Sequence, residues 1–386
     1  MIYLDNAATT SMLDEVLDEM IPYMKEYYGN PSSMHRLGRQ ANNALQLARK
    51  RISTLINATG EIIFTSGATE ANNLALKGFT SSMKAKGNHI ITDSVEHEAI
   101  LEPCKELERS GFNVTYVPVD KYGVIDLDAL ERAINEKTIL ISVMFANNEV
   151  GTIQPIKEIS EIAHKHDVVL HTDAVQAVGK IPVDMQSSGI DMITLSAHKM
   201  YGPKGAGALC INKDLKIEPI LHGGGQEKQI RSGTQNVAGI VGMGKTAEIA
   251  MQHIDTYVNH VRKLRDHLIN SALTRIKYSK LNGHPTQRLP NNVHFTFLGV
   301  NGEDLLIKLD ENGIQASTGS ACSVHKQKAS HVLKAMGLNH QEIAGSLRLT
   351  IGIRNTSSEI EKTVDILVQV VGELRKVSPY GLEYAR

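Results

Sequence analysis

Short apolar runs rich in β-branched residues alternate with longer amphipathic stretches from about Glu61 to about Ile211. This alternation is typical of strands joined by crossover helices, which place the strands side by side in a mostly parallel sheet. The candidate strands are residues 61–65, 89–92, 114–117, 139–145, 168–171, 192–195 and 206–211. The pattern therefore predicts an α/β fold with a seven-stranded sheet.

After the predicted sheet the pattern changes. Residues 235 to about 279 have the periodicity of one long helix, and candidate strands at 293–297, 314–316 and 347–351 follow with helices between them. We expect a large domain over residues 15–255 and a smaller α+β domain formed by residues 1–14 and 256–386. The boundary depends on this change of pattern, since no linker-like tract marks it.

Composition excludes several classes of protein. With 41 basic and 42 acidic residues the formal net charge is -1, so no global charge attracts nucleic acid or an anionic membrane. The first residues lack a signal-peptide pattern, and we find no apolar run of membrane-spanning length. We therefore expect a cytoplasmic protein without a membrane partner or direct nucleic-acid binding. Three cysteines are too few for a disulfide framework, so a functional cysteine would act alone.

Three features follow predicted strands in the order expected of a pyridoxal phosphate (PLP) site. A turn of small residues around Ala68 and Thr69 opens a helix, where backbone N–H groups suit a phosphate. Asp173 ends a strand, where a carboxylate can keep the ring nitrogen of PLP protonated. Lys199 lies among small residues after the next strand, where its amine can bind PLP covalently and act as a base.

Each feature alone has an ordinary explanation. A Ser or Thr at a helix start is commonly an N-cap, an Asp at a strand end commonly caps a helix, and a single lysine is commonly solvated surface. The combination in this order favours the PLP site, because three independent coincidences are less probable than one.

The motifs around these residues resemble those of PLP-dependent cysteine desulfurases of the NifS/IscS type, within the class-V aminotransferases. The segments that carry the resemblance are YLDNAA (3–8), SGATEANN (66–73), VEHEAI (95–100), NNEVGTIQ (147–154), HTDAVQ (171–176), SAHKMYGPKG (196–205), RSGT (231–234), TGSAC (318–322) and LRL (347–349). They cover nearly the whole chain, and the resemblance implies the PLP fold-type I architecture.

The resemblance also implies residue roles. The implied PLP-binding residues are Ala68, Thr69, Asn148, Asp173, Gln176, Ser196, His198, Lys199 and Thr234. In this scheme His97 stacks over the ring, although a helix-start histidine is the ordinary alternative. Thr234 reaches the phosphate of a neighbouring subunit, which implies a homodimer. Asn148 and Arg348 hold the substrate carboxylate, a role suited to the planar fork of arginine.

Cys322 is the implied sulfur acceptor. It lies in a run of small residues that is typical of a mobile loop, and His325 and Lys326 favour its thiolate. Cys104 and Cys210 are interpreted as inert small hydrophobes. The resemblance implies that L-cysteine becomes L-alanine while its sulfur forms a persulfide on Cys322 for acceptors in iron–sulfur cluster assembly, such as a scaffold protein.

Several alternatives stay open at this point. A selenocysteine lyase or another PLP-dependent β-lyase uses the same scaffold, and a non-catalytic scaffold is a different class. Residues 239–246 satisfy the P-loop pattern G-x-x-x-x-G-K-[ST], but the residues before them are turn-like rather than a buried strand. His164 and His166 lie two apart on a predicted helix, so we expect surface positions and no metal site.

Two features leave the sulfur acceptor undetermined. Lys326 and Lys328 make the segment after Cys322 unusually basic, and the C-terminal tail is shorter than in many bacterial members. Iron–sulfur assembly, tRNA thiolation and cofactor thiolation all begin with the same half-reaction.

Overall fold

The computed structural model describes residues 1–318, 329–378 and 383–384. The strands are β1 (Ile2–Tyr3), β2 (Glu61–Thr65), β3 (His89–Asp93), β4 (Asn113–Val117), β5 (Thr138–Ser142), β6 (Val169–Asp173), β7 (Met192–Ser196), β8 (Gly207–Ile211), β9 (Ser279–Leu281), β10 (Asn292–Phe297), β11 (Ile314–Gln315) and β12 (Ser346–Thr350). The helices are α1 (Asp14–Lys25), α2 (Arg36–Leu55), α3 (Ala68–Asn73), α4 (Phe79–Met83), α5 (Glu98–Arg109), α6 (Leu127–Ala133), α7 (Ile156–Lys165), α8 (Val237–Arg275), α9 (Gly302–Glu311), α10 (His331–Ala335), α11 (His340–Ala344) and α12 (Ser357–Val377).

Seven strands form the main sheet, in the order β2-β8-β7-β6-β5-β3-β4. Strand β8 runs antiparallel to both neighbours, and the other pairs are parallel. A three-stranded antiparallel sheet, β12-β10-β9, and the parallel pair of β1 and β11 are separate from it. The predicted α/β class and seven-stranded, mostly parallel sheet are confirmed.

Apolar side chains cover both faces of the main sheet. Ile91 and Ile141 belong to one hydrophobic core, whereas their chain neighbours Ile90 and Leu140 belong to a second core on the other face. Successive strand residues point to opposite faces, so strands buried on both sides have continuous apolar sequences. This burial explains why the strands were recognisable from sequence.

Some predicted bounds were wrong. The apolar run 139–145 is longer than its strand, because β5 ends at Ser142 and the next three residues are buried in the following loop. The long helix ends at Arg275; of the residues predicted as its last turn, 276–278 form a bend and a turn, and Ser279 begins β9. Apolarity reports burial, and burial does not require a strand.

Helix α8 contacts two cores along its length. Ile240 and Met243 pack in the core of the main sheet, whereas Val261 and Leu264 pack with Phe295 of the smaller sheet. The predicted domain boundary at 255 therefore falls inside one continuous helix, and the division into two domains stays a prediction. In the described part of the chain, no helix is long and apolar enough to cross a membrane.

The carboxyl ends of six strands lie at the same edge of the main sheet, and five of these strands lead to predicted site residues. Strand β2 has the direction of β7 because β8 is antiparallel to both, and β7, β6, β5 and β3 are mutually parallel. Ligands of open α/β sheets bind at this edge. The segments that leave these five strands carry most of the predicted site residues.

Candidate active site

A cavity of about 1050 Å³ lies at this edge. The predicted site residues that line it are Ala68, Thr69, His97, Asn148, Asp173, Gln176, Ser196, His198, Lys199 and Arg348. Two predicted residues are not among its lining: Thr234 is exposed on the surface, and Cys322 lies outside the described residues. Folding thus gathers residues from positions 68 to 348 around one space.

The turn between β2 and α3 forms one end of the cavity. The Glu70 carboxylate accepts a hydrogen bond from the Ser66 N–H at 2.7 Å and pairs with Arg231 at 2.6 Å. Burial raises the pKa of Glu70, but the hydrogen bonds from Arg231 and Ser66 outweigh it and the pKa is lowered overall. In the described chain no side chain caps α3, so the N-cap alternative for this turn is wrong.

Two glycines make this turn compact. A Cβ atom at Gly207 of β8 would lie 2.6 Å from the Cα of Gly67, whereas a Cβ at Gly67 would meet nothing within 4 Å. Backbone therefore packs on backbone on one side of the turn, and the other side is open. This leaves a space in which an anion can approach the main chain.

Asp173 is held rigidly at the end of β6. Its carboxylate accepts hydrogen bonds from the Asn72 amide at 2.7 Å and the Val175 N–H at 3.0 Å, and its exposed fraction is 7%. Asn72 had not been predicted as a site residue. The two donors fix one carboxylate orientation, as a partner for a ring nitrogen requires.

Lys199 follows β7 in a short 3₁₀ turn, Ala197–Lys199. Its Nζ donates to the carbonyl oxygens of Ala7 and Ala8, each at 2.7 Å. The Gln176 amide also donates to the Ala7 oxygen, at 3.0 Å. The N-terminal segment is thus part of the site, which sequence reasoning missed because alanine side chains carry no functional group.

Both predicted histidines of the site, His97 and His198, have lowered pKa values. His97 caps α5 by accepting the Ala99 N–H at Nδ1, and burial is the largest cause of its lowered pKa. The ring proton is therefore on Nε2. His97 is both a helix-start histidine and a cavity residue, so the two alternatives were not exclusive. Burial, followed by Lys199 and Lys204, lowers the pKa of His198 to about 4.

Arg348 lies on β12 with an exposed fraction of 2%, so the surface-arginine alternative is wrong. Its guanidinium contacts the Asp5 carboxylate at 2.9 Å and the Asn148 carbonyl at 3.0 Å. Asp5 and Asn148 come from segments far apart in sequence. The arginine therefore joins the smaller sheet to the loop after β5 at the wall of the cavity.

These groups fit PLP. A buried carboxylate suits the pyridinium nitrogen, a lysine amine suits the aldehyde, and an open turn at a helix start suits the phosphate. In the described chain, no cluster of three His, Cys, Asp or Glu residues offers a metal site.

The chain is similar to known proteins over nearly its whole length. The family model described as aminotransferase class-V matches residues 2–363. A protein of Methanosarcina thermophila named cysteine desulfurase IscS is 51% identical over 98% of this chain and 94% of its own length.

The chain belongs to this family, and within it to the cysteine desulfurases. A solved NifS-like protein is 39% identical, with a TM-score of 0.91 over 97% of this chain and all of that one. A structure described as SspA in complex with cysteine is 35% identical, with a TM-score of 0.80 over 92% of this chain and all of that one.

The P-loop alternative is wrong for this desulfurase. Residues 239–246 lie inside α8, and residues 230–236, directly before this helix, form no strand. A Cβ at Gly242 would lie 2.4 Å from Met20 of α1, and one at Gly244 would lie 2.7 Å from Ala48 of α2. These glycines permit close helix packing, and Lys245 pairs with Glu248 at 2.8 Å.

The remaining histidine and cysteine predictions can also be compared with the structure. The side chains of His164 and His166 are 47% and 36% exposed and contact Asp191 and Glu131, which confirms their surface placement. Burial raises the pKa of Cys104 and of Cys210 to about 12. Both thiols stay protonated, as inert core residues would.

Proposed function

We propose that this desulfurase uses PLP to transfer the sulfur of L-cysteine to Cys322, with L-alanine as the second product. The observation that carries the proposal is the convergence of Lys199, Asp173 and Arg348 on one cavity. An amine, a fixed carboxylate and a buried guanidinium are the groups that a PLP-bound amino acid requires. Binding of L-cysteine accords with the cysteine complex of the SspA structure.

Six residues hold the cofactor ring and its phosphate in this proposal. Asp173 pairs with the ring nitrogen, Gln176 donates to the phenolic oxygen, and His97 lies over the ring. The turn at Thr69 binds the phosphate with Ser196 and His198. When bound, PLP supplies an electron sink that stabilises negative charge at the substrate Cα.

The chain's own residues orient the substrate and move its proton. Arg348 and the Asn148 side chain bind the carboxylate of L-cysteine, which fixes the Cα–H bond relative to Lys199. The Lys199 amine removes the proton from Cα. His97 is neutral because its pKa is lowered, so it does not oppose the positive charge on that amine.

Cys322 receives the sulfur. Its thiolate attacks the substrate sulfur, an S–S bond forms, and the bond from Cβ to sulfur breaks. Carbon keeps the electron pair and gains a proton, so alanine is released and Cys322 carries the persulfide.

The described residues on the two sides of the Cys322 segment contact or line the wall of the cavity. Ser317, five residues before it, pairs with the Arg348 backbone, and Ala329, seven residues after it, lines the cavity. Each residue spans at most about 3.6 Å, so Cys322 is tethered within about 18 Å of Ser317.

We further propose a homodimer in which Thr234 binds the phosphate of the partner's PLP. The exposure of Thr234, outside its own chain's cavity, favours this arrangement. The expected acceptor of the persulfide is a protein, with an iron–sulfur scaffold as the candidate that the sequence motifs imply.

Replacing Cys322 with Ser tests the sulfur-transfer step. The variant should keep the absorbance of bound PLP and lose persulfide formation, whereas the control Cys104→Ala should keep both. Sulfide release from L-cysteine that survives in Cys322→Ser would instead indicate a β-lyase. A colourless wild-type protein that PLP cannot reconstitute would indicate a non-catalytic scaffold.

A further inference from the structure

Lys180 is a buried ionisable group to which the proposed mechanism assigns no role. Lys180 lies in the turn after β6 with an exposed fraction of 1%. Its amine donates to Oε1 of Gln176 at 2.7 Å. Among the described residues this is its one side-chain hydrogen-bond partner, and no carboxylate pairs with it.

Burying this amine is unfavourable. Burial is the largest cause of a pKa well below the ordinary lysine value, and the positive charges of Lys199 and Arg348 lower the pKa further. A methionine would fill similar space without a polar atom to satisfy. A packing role therefore does not explain the choice of lysine.

The hydrogen bonds of Gln176 show what the amine does. Its Nε2 donates to the Ala7 carbonyl at 3.0 Å, while its Oε1 accepts from Lys180. An amide has one acceptor oxygen and two N–H donors, so occupying the oxygen on the protein side leaves a donor for the cavity side. Gln176 lines the cavity, whereas Lys180 is not among its lining residues.

The same carbonyl links this network to Lys199. The Ala7 oxygen accepts from both Gln176 Nε2 and Lys199 Nζ. Backbone hydrogen bonds from Val178 and Lys180 to Ala174 and Ala177 form a helical turn, which places positions 176 and 180 on one side. A flipped Gln176 amide would direct its oxygen towards the Ala7 oxygen, and two acceptors would face each other.

We propose that Lys180 is a positioning residue: by holding Oε1 of Gln176, it fixes the amide so that its N–H groups face the cofactor side of the cavity. The inference rests on the proposed PLP function. It assigns Lys180 no contact with the cofactor or substrate. The effect of Lys180 must then pass through Gln176, which makes it measurable.

A double-mutant cycle tests this dependence. PLP dissociation constants and the absorbance maximum of bound PLP are measured for the wild type, Lys180→Met, Gln176→Ala and the double variant, by dialysis and spectroscopy. We expect each single variant to weaken PLP binding about tenfold and to shift the maximum, since each removes or misdirects the hydrogen bond from Gln176 to the cofactor. In the Gln176→Ala background, Lys180→Met should change affinity less than about twofold.

Two results would overturn the inference: tenfold losses that multiply in the double variant, or a Lys180→Met protein that binds PLP as the wild type does. The matched control is Lys165→Met, a surface lysine with a 67% exposed side chain, which should leave both readouts unchanged. If Lys180→Met does not fold, Lys180→Leu takes its place, because it also removes the N–H donor and the same cycle applies.

The cycle also separates this inference from the proposed function. A wild-type protein that fails to bind PLP would refute the proposed function. A wild-type protein that binds PLP, with no coupling between positions 176 and 180, would refute the role of Lys180 alone.

Discussion

Replacing Asp93 with Asn should raise the free energy of unfolding relative to that of the wild type, and the difference should grow as the pH rises. Asp93 and Glu96 are both fully buried at the carboxyl end of β3. The Val95 N–H donates to Oδ1 of Asp93 and the Met144 N–H donates to Oε1 of Glu96, while the second oxygen of each carboxyl has no hydrogen-bond partner among the described residues. Two such groups cannot both be charged at low cost.

Burial raises the pKa of Asp93 from 3.8 to about 7. Burial, followed by the charges of Asp93 and Asp173, raises the pKa of Glu96 well above its ordinary value. At pH values between its unfolded and folded pKa, Asp93 keeps a proton in the folded protein that it has lost in the unfolded chain. Its contribution to the free energy of unfolding is therefore full below the unfolded pKa and is lost as the pH rises through the folded pKa.

The size of the effect follows from the Asp93 shift. A pKa shift from 3.8 to about 7 means that the free energy of unfolding of the wild type falls by about 4 kcal/mol as the pH rises. About 2 to 3 kcal/mol of this fall occurs between about pH 5 and about pH 8. Asparagine does not titrate and keeps the oxygen that accepts the Val95 N–H. The variant should therefore gain this amount over the wild type across that interval.

Urea unfolding of both proteins at one saturating PLP concentration measures the difference. Taking the difference cancels the opposite contribution of buried neutral histidines such as His171, whose burial lowers its pKa to about 3. The infrared carbonyl stretch of a protonated acid should also disappear from the wild type near the pKa of Asp93. Parallel pH profiles for the two proteins would refute the argument.

Two further predictions concern the walls of the cavity. Arg348→Lys should raise KM for L-cysteine by tenfold or more and change kcat less, because a point charge replaces a bidentate fork; an unchanged KM in steady-state assays would exclude carboxylate binding by Arg348. Ser330→Ala should lower the free energy of unfolding by about 1 to 3 kcal/mol, because Ser330 caps α10 and donates to the buried Glu149 carboxyl at 2.6 Å. Thermal unfolding would measure this loss, and an unchanged midpoint would contradict it.

The sequence by itself determined the sheet and the chemistry of the site. Strands buried on both faces must be continuously apolar, so β2, β3 and β7 were recognisable without long-range information. Asp173 and Lys199 were identifiable because each follows such a strand, and parallel strands bring their carboxyl ends to one edge. The motif order around them then indicated the cysteine desulfurases.

Only the tertiary structure decided which other groups complete the site. The carbonyls of Ala7 and Ala8 bind Lys199, and Asp5 pairs with Arg348 across more than 300 residues of sequence. Backbone carbonyls and a single acidic residue carry no local pattern, and their position follows from packing between distant segments. Lys180 is the clearest case. The local sequence predicts an ordinary lysine in a turn, and only the structure shows that Lys180 is buried beside Gln176, where we propose a positioning role.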